Sequence, residues 1–227
     1  MIILNKTVII TGGGSGLGLA LAHQYYKDFN VCLIGRTEAK LKQAVQTFST
    51  SSENTVSYKV CDVTHYEQVQ SVLGSIFHNE DVYLLINNAG TGIFQPFNEL
   101  SESDIRQMME TNVYGSIYPT KAAFPLFKKQ GYGKVMNIIS TAGLRGKVNE
   151  SVYCASKFAV RGFTESLVKE WDGTGIYPTA VYMGGMDTPF WDGSDHISDR
   201  SRLKSPEKIA ELIIEQDDNR SEIFIDR

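Results

Sequence analysis

Cysteine is scarce and unpaired: Cys32, Cys61 and Cys154 are the three thiols of a 227-residue chain. An odd, widely spaced set in apolar or helical surroundings excludes a disulfide framework and reads as free thiols of a reducing compartment. Basic runs are missing as well. The 22 lysines and arginines stand against 26 acids, for a formal charge of −4. No cluster would track a phosphate backbone, which argues against nucleic acid as a partner. No apolar stretch approaches the roughly 18 residues of a membrane span, so no membrane association is expected. The opening run Met1-Ile-Ile-Leu-Asn-Lys6 lacks the charged, apolar and small-residue regions of a secretory leader. These absences lead us to expect a cytoplasmic protein. Repeats and low-complexity tracts are absent too, and Ser49-Thr-Ser-Ser52 is only a polar loop. The length fits one large domain without staples, and no linker interrupts it, so residues 1–227 are read as a single domain.

What the chain does have is alternation. Short β-branched or apolar runs occur at 7–11, 31–35, 56–60, 82–86, 135–139, 180–182 and 222–225. Amphipathic stretches fall between them at 16–28, 37–48, 65–78, 103–129, 151–171 and 205–216. This order implies right-handed βαβ units, hence an α/β, doubly wound, seven-stranded parallel sheet. Pro119 and Pro125 fall inside the fourth helical stretch, where proline should kink or segment it. Residues 187–204 are polar and weakly periodic yet carry Phe190 and Trp191, which suggests a substrate-binding lid.

Two motifs carry chemistry. Thr11-Gly-Gly-Gly-Ser-Gly-Leu-Gly18 directly follows the first strand and opens the first helix, so backbone can approach a pyrophosphate at a helix N-terminus. Leu19 and Ala20 follow Gly18 where a Walker loop would carry Lys and Ser or Thr, which disfavours phosphoryl transfer. Gly35-Arg36-Thr37 ends the second strand, where an NAD site would place an acid. A guanidinium there offers donors to a 2′-phosphate, so NADP(H) is preferred over NAD(H). In the second motif, Tyr153 and Lys157 share one helical face, thirteen residues after Ser140 closes the strand-like run 135–139. A phenol, a cation and a hydroxyl suit proton transfer to a carbonyl oxygen. A serine-nucleophile reading fails because Ser140 lacks a Gly-x-Ser-x-Gly elbow, and His23, His65, His78 and His196 are scattered.

Thr11-Gly-x-x-x-Gly-x-Gly, Asp62-Val63, Asn87-Asn-Ala-Gly90 and Ser140…Tyr153-x-x-x-Lys157, in that order, resemble the short-chain dehydrogenase/reductase family in its compact form. The resemblance implies a Rossmann sheet. In it Thr11, Gly12, Gly14, Ser15, Gly16, Leu17, Gly18 and Arg36 hold the dinucleotide, Asp62 and Val63 flank the adenine, and Asn88, Ala89 and Gly90 lie on the adenosine side. It implies Tyr153 as general acid or base, and Lys157 as the group that lowers the phenol's pKa and bonds the nicotinamide ribose. Ser140 would donate to the substrate oxygen, and the main chain of Asn112 would sit at a helix distortion and hold a water of the proton relay. Gly184, Met186 and Thr188 would meet the nicotinamide, although Met183 stands where relatives carry proline. Phe94, Gln95, Leu144, Arg145, Tyr182, Phe190 and Trp191 would face the substrate, a small, mostly hydrophobic carbonyl or alcohol. No metal is expected. Relatives pair through the two long helices, so a homodimer is expected, with a tetramer as the alternative. The rival function is an NADP-binding redox sensor without turnover.

Overall fold

The computed structural model describes residues 6–49, 53–194 and 196–225. The first five residues, most of the Ser49–Ser52 loop, Asp195 of the expected lid and the last two residues lie outside the described residues. Seven parallel strands run in the order β3-β2-β1-β4-β5-β6-β7. They are β1 (Thr7–Thr11), β2 (Asn30–Gly35), β3 (Val56–Val60), β4 (Val82–Asn87), β5 (Gly133–Ile138), β6 (Ile176–Tyr182) and β7 (Glu222–Phe224). Every residue of β1 and β5 is buried, as expected of strands covered by helices on both faces.

The helices α1 (Gly16–Tyr25), α2 (Glu38–Gln46) and α7 (Pro206–Glu215) close one face, with Leu21, Leu41 and Ile213 meeting Ile10, Leu33 and Val181 of the sheet. On the other face, α3 (Tyr66–Asn79), α5 (Gly115–Gln130) and α6 (Ser151–Glu170) bury Leu73, Phe127 and Leu167 against Ile9, Leu85 and Val135. The strand order reverses direction between β1 and β4. A doubly wound sheet opens a crevice at such a switch point, outside the carboxyl ends of its strands.

Two boundaries differ from the sequence reading. Strand β6 starts four residues before the expected Ala180 and includes Pro178. Because β7 pairs only with Ala180–Tyr182, β6 has a neighbour on one side only at Pro178, so a missing N–H is tolerated there. The long helix expected over 103–129 is broken, but not at its prolines. Helix α4 (Glu102–Met109) passes into a π-turn (Glu110–Tyr114), and α5 then runs through both Pro119 and Pro125.

Candidate active site

The glycine-rich turn is tied down from below. Thr11 Oγ1 accepts hydrogen bonds from the backbone N–H groups of Asn88 at 3.0 Å and Ala89 at 3.1 Å, and the Asn88 amide donates to the carbonyls of Thr11 and Gly12. The ends of β1 and β4 are thereby locked together at the switch point. A side chain on Gly18 would place its Cβ 2.3 Å from the Gly12 carbonyl oxygen, so only glycine lets α1 start this close to the turn. Gly12 adopts φ +65°, a left-handed conformation that glycine takes without strain.

Above the turn lies a cavity of about 500 Å³. Arg36 and Lys40 mark one end, Gly12, Ser15, Gly16 and Leu17 the floor, and Asn88, Ala89 and Gly90 a flank. Ser140, Tyr153 and Lys157 stand at the other end, under Gly184, Met186, Thr188, Phe190 and Trp191. Of the remaining residues expected at the dinucleotide, Thr11 is buried beneath the turn, while Gly14, Gly18, Asp62 and Val63 stand outside the lining. The Asp62 carboxylate accepts from Thr64 and closes the turn after β3.

Ser140, Tyr153, Lys157 and Asn112 are all buried. Ser140 follows β5 with φ +142°, a strained backbone for a non-glycine residue, and its hydroxyl caps the next turn by accepting from the Ala142 N–H. Asn112 occupies the centre of the π-turn. Its amide donates to the Thr91 carbonyl and to Ser156 Oγ, each at 2.9 Å, and its side-chain oxygen accepts from the Thr91 N–H at 2.8 Å. Its own carbonyl accepts from Ser116 Oγ at 2.8 Å. The helix distortion expected at Asn112 is thus in place, and the side chain fastens it to α6. Beneath it Asn87 is buried in a network with Thr120 and Asn137, so the first residue of Asn87-Asn-Ala-Gly90 is structural.

Lys157 Nζ donates to the Ile138 carbonyl at 3.0 Å and lies 5.8 Å from the centre of the Tyr153 ring. Burial pulls the Lys157 ammonium down to about 8. Burial also pushes the Tyr153 phenol well above its usual range, against the opposing hydrogen bond with Ser140, and the Glu150 carboxylate adds to the rise. Burial thus favours the protonated phenol.

Aromatic side chains pack together at this end. Phe94 meets the Tyr153 ring edge-on at 5.3 Å and stacks on Trp191 at 5.0 Å and on His196 at 4.8 Å. Arg200 pins the segment by donating to Asp187, Asp192 and the Thr188 carbonyl.

Of the expected substrate contacts only Phe190 and Trp191 line the cavity, and Phe94 packs against Trp191 behind it. Tyr182 is fully buried, stacks on Phe224 at 4.7 Å and packs in a cluster with Ile139, Val160 and Ala180, with Leu144 against it. Neither Tyr182 nor Leu144 lines the cavity, because the β6 pleat and the turn after Ser140 aim them into this core. Gln95 and Arg145 are outside the lining too, and the Gln95 amide donates to the Glu99 carbonyl.

Sequence reasoning missed Lys40, one helical turn beyond Arg36. It also missed Glu150, three residues before Tyr153, and both spacings were available as signals. His196 carried none, because only the fold of the lid brings its Nε2 to 3.0 Å from Glu150 Oε1.

A family model described as short chain dehydrogenase matches residues 6–197. The chain belongs to the short-chain dehydrogenase family. It is accordingly an oxidoreductase. The chain is 34% identical over 221 residues to a 3-dehydrosphinganine reductase of Danio rerio, covering 91% of this chain and 67% of that protein. Among solved structures, ElxO with NADP bound is 30% identical, with a TM-score of 0.88 and 98% and 97% of the two chains covered. A short-chain dehydrogenase/reductase from Vibrio parahaemolyticus is 32% identical, with a TM-score of 0.84 and 97% and 96% covered. No helix among the described residues is long and apolar enough to cross a membrane.

Proposed function

We propose that this short-chain dehydrogenase is an NADP(H)-dependent enzyme that interconverts a carbonyl and an alcohol on a small, mostly apolar substrate. One observation carries the reading: a single cavity has two cations, Arg36 and Lys40, at one end and Ser140, Tyr153 and Lys157 at the other. The residues fit the dinucleotide. The turn holds glycine where a Cβ would collide, and the cations stand beyond it, where a 2′-phosphate needs partners. The reductase name of the Danio rerio relative and the NADP in ElxO support the same direction.

When bound, NADPH supplies the hydride that reaches the carbonyl carbon. Tyr153 gives its proton to the carbonyl oxygen as negative charge builds there, which yields the alcohol. A phenol kept protonated by burial is suited to that role. Ser140 donates a hydrogen bond to the same oxygen and does not react. Lys157 stabilises the tyrosinate left behind and bonds the ribose. Thr188, Gly184 and Met186 would hold the nicotinamide, and Phe190 and Trp191, backed by Phe94, exclude water from the reacting carbonyl. The segment 187–204 acts as the substrate lid. A screen of aryl and alkyl ketones, followed by NADPH absorbance, tests the reading. Turnover of at least one apolar ketone, faster with NADPH than with NADH, is expected. Tight NADPH binding with no oxidation across the panel would instead favour a redox sensor.

A further inference from the structure

Resting on the reductase reading above, we propose that Glu150 binds a positively charged group on the substrate, so that the compounds turned over are amino ketones, or amino alcohols in the reverse direction. Glu150 immediately precedes α6 and lies three residues before Tyr153. Its side chain is only 7% exposed, yet it lines the cavity. A carboxylate held in a cavity wall costs free energy unless it is matched by donors or opposite charge. The match is partial. Oε1 has the His196 Nε2 at 3.0 Å. Oε2 forms an ion pair with Lys147 Nζ at 3.7 Å, longer than a hydrogen bond and on a side chain about a third exposed.

The surrounding walls favour a cation. Phe190, Trp191, Tyr153 and His196 line the cavity, with Phe94 packed against them. Aromatic ring faces attract cations, most strongly where water is excluded. Two lysines of the cavity oppose: the flexible stem of Lys147 lets its head turn to solvent, and Lys157 is held on the Ile138 carbonyl, away from Glu150. Glu150 and Tyr153 line the same cavity, and the carboxylate is near enough to raise the phenol, so a cation at Glu150 sits on the side of the cavity where the Tyr153 proton is given up. The nitrogen therefore belongs on a carbon adjacent or nearly adjacent to the carbonyl. The chemistry of the reaction is unchanged: the ketone gains a hydride and a proton, and the amine only binds.

The test compares NADPH oxidation with α-aminoacetophenone and with acetophenone, in slightly acidic buffer that keeps the amine protonated. The wild type is expected to prefer the amino ketone in kcat/KM by on the order of tenfold, the worth of one charge-assisted contact. Glu150→Gln is expected to bring the ratio toward one, and Glu150→Asp to keep much of it. Equal or lower kcat/KM for the amino ketone in the wild type, or a ratio unchanged by Glu150→Gln, overturns the proposal and leaves the reductase reading standing. If neither ketone is reduced, tryptophan fluorescence titrated with phenethylammonium separates the two ideas. Saturable binding that Glu150→Gln abolishes keeps the cation site, whereas no binding overturns it, and the reductase reading is decided by the wider ketone panel. Should Glu150→Gln fail to fold, the wild-type ratio decides alone.

Discussion

The Asn112 amide donates to the Ser156 hydroxyl at 2.9 Å, and Ser156 donates in turn to the Tyr153 carbonyl at 2.7 Å. The π-turn and the helix that carries Tyr153 and Lys157 are thus joined by one buried chain of donors and acceptors. Replacing Asn112 by Ala leaves the Thr91 N–H and carbonyl without their partner and should cost about 2–4 kcal/mol. Thermal unfolding should show a fall in Tm of roughly 5–10 °C for a chain of this size. Activity should drop more than stability explains, because the turn that holds Lys157 in register is released.

Lys157 carries a pH signature. Its folded-state pKa of about 8 lies below the ordinary 10.5, so between these values the unfolded chain binds the proton that the folded chain has lost. Its contribution to stability therefore rises with pH in that window, and the full burial cost is present below pH 8. Tyr153 acts in the opposite sense above pH 10, where only the unfolded phenol ionises. Urea unfolding of the wild type and of Lys157→Met at pH 8 and pH 10 should show the wild type gaining about 2 kcal/mol relative to the variant.

Arg36 is exposed at the cavity end and carries the cofactor preference in this account. Arg36→Asp exchanges donors for a charge that repels a 2′-phosphate and can accept from ribose hydroxyls. Fluorescence titration should show NADPH affinity falling at least about tenfold and NADH affinity holding or rising. An unchanged NADPH affinity would move the phosphate site to Lys40 alone.

Tyr114 and Phe158 project large rings into solvent, 46% and 43% exposed, from the π-turn and α6. We propose that these faces pair two copies of the chain, burying apolar surface that a monomer leaves wet. Light scattering on the eluting peak should give a dimer for the wild type and a monomer for Phe158→Glu. A monomeric wild type contradicts this assignment.

Much of this was legible in the residues themselves. The central strands were visible because buried parallel strands read as apolar runs, whereas the edge strands β3 and β7 are partly exposed and showed through their β-branched or aromatic residues. The glycine turn and the Tyr153–Lys157 face were visible because their spacing is the geometry. The start of β6 was hidden, since Pro178 signals a break unless one knows that β7 stops short of it. Tyr182 and Leu144 were misplaced because the family's geometry says which loop nears a substrate, but not which way its side chains turn. His196 could not be found at all: only tertiary packing joins it to Glu150, 46 positions away.

The most direct test of the central claim is turnover by Tyr153→Phe. The variant loses one hydroxyl from a buried ring, so it should fold and bind NADPH within a few-fold of the wild type. Its ketone reduction should fall by about a thousandfold, the range of a lost general acid. Retention of reduction within about tenfold of the wild type would show that the proton comes from elsewhere and would contradict the account.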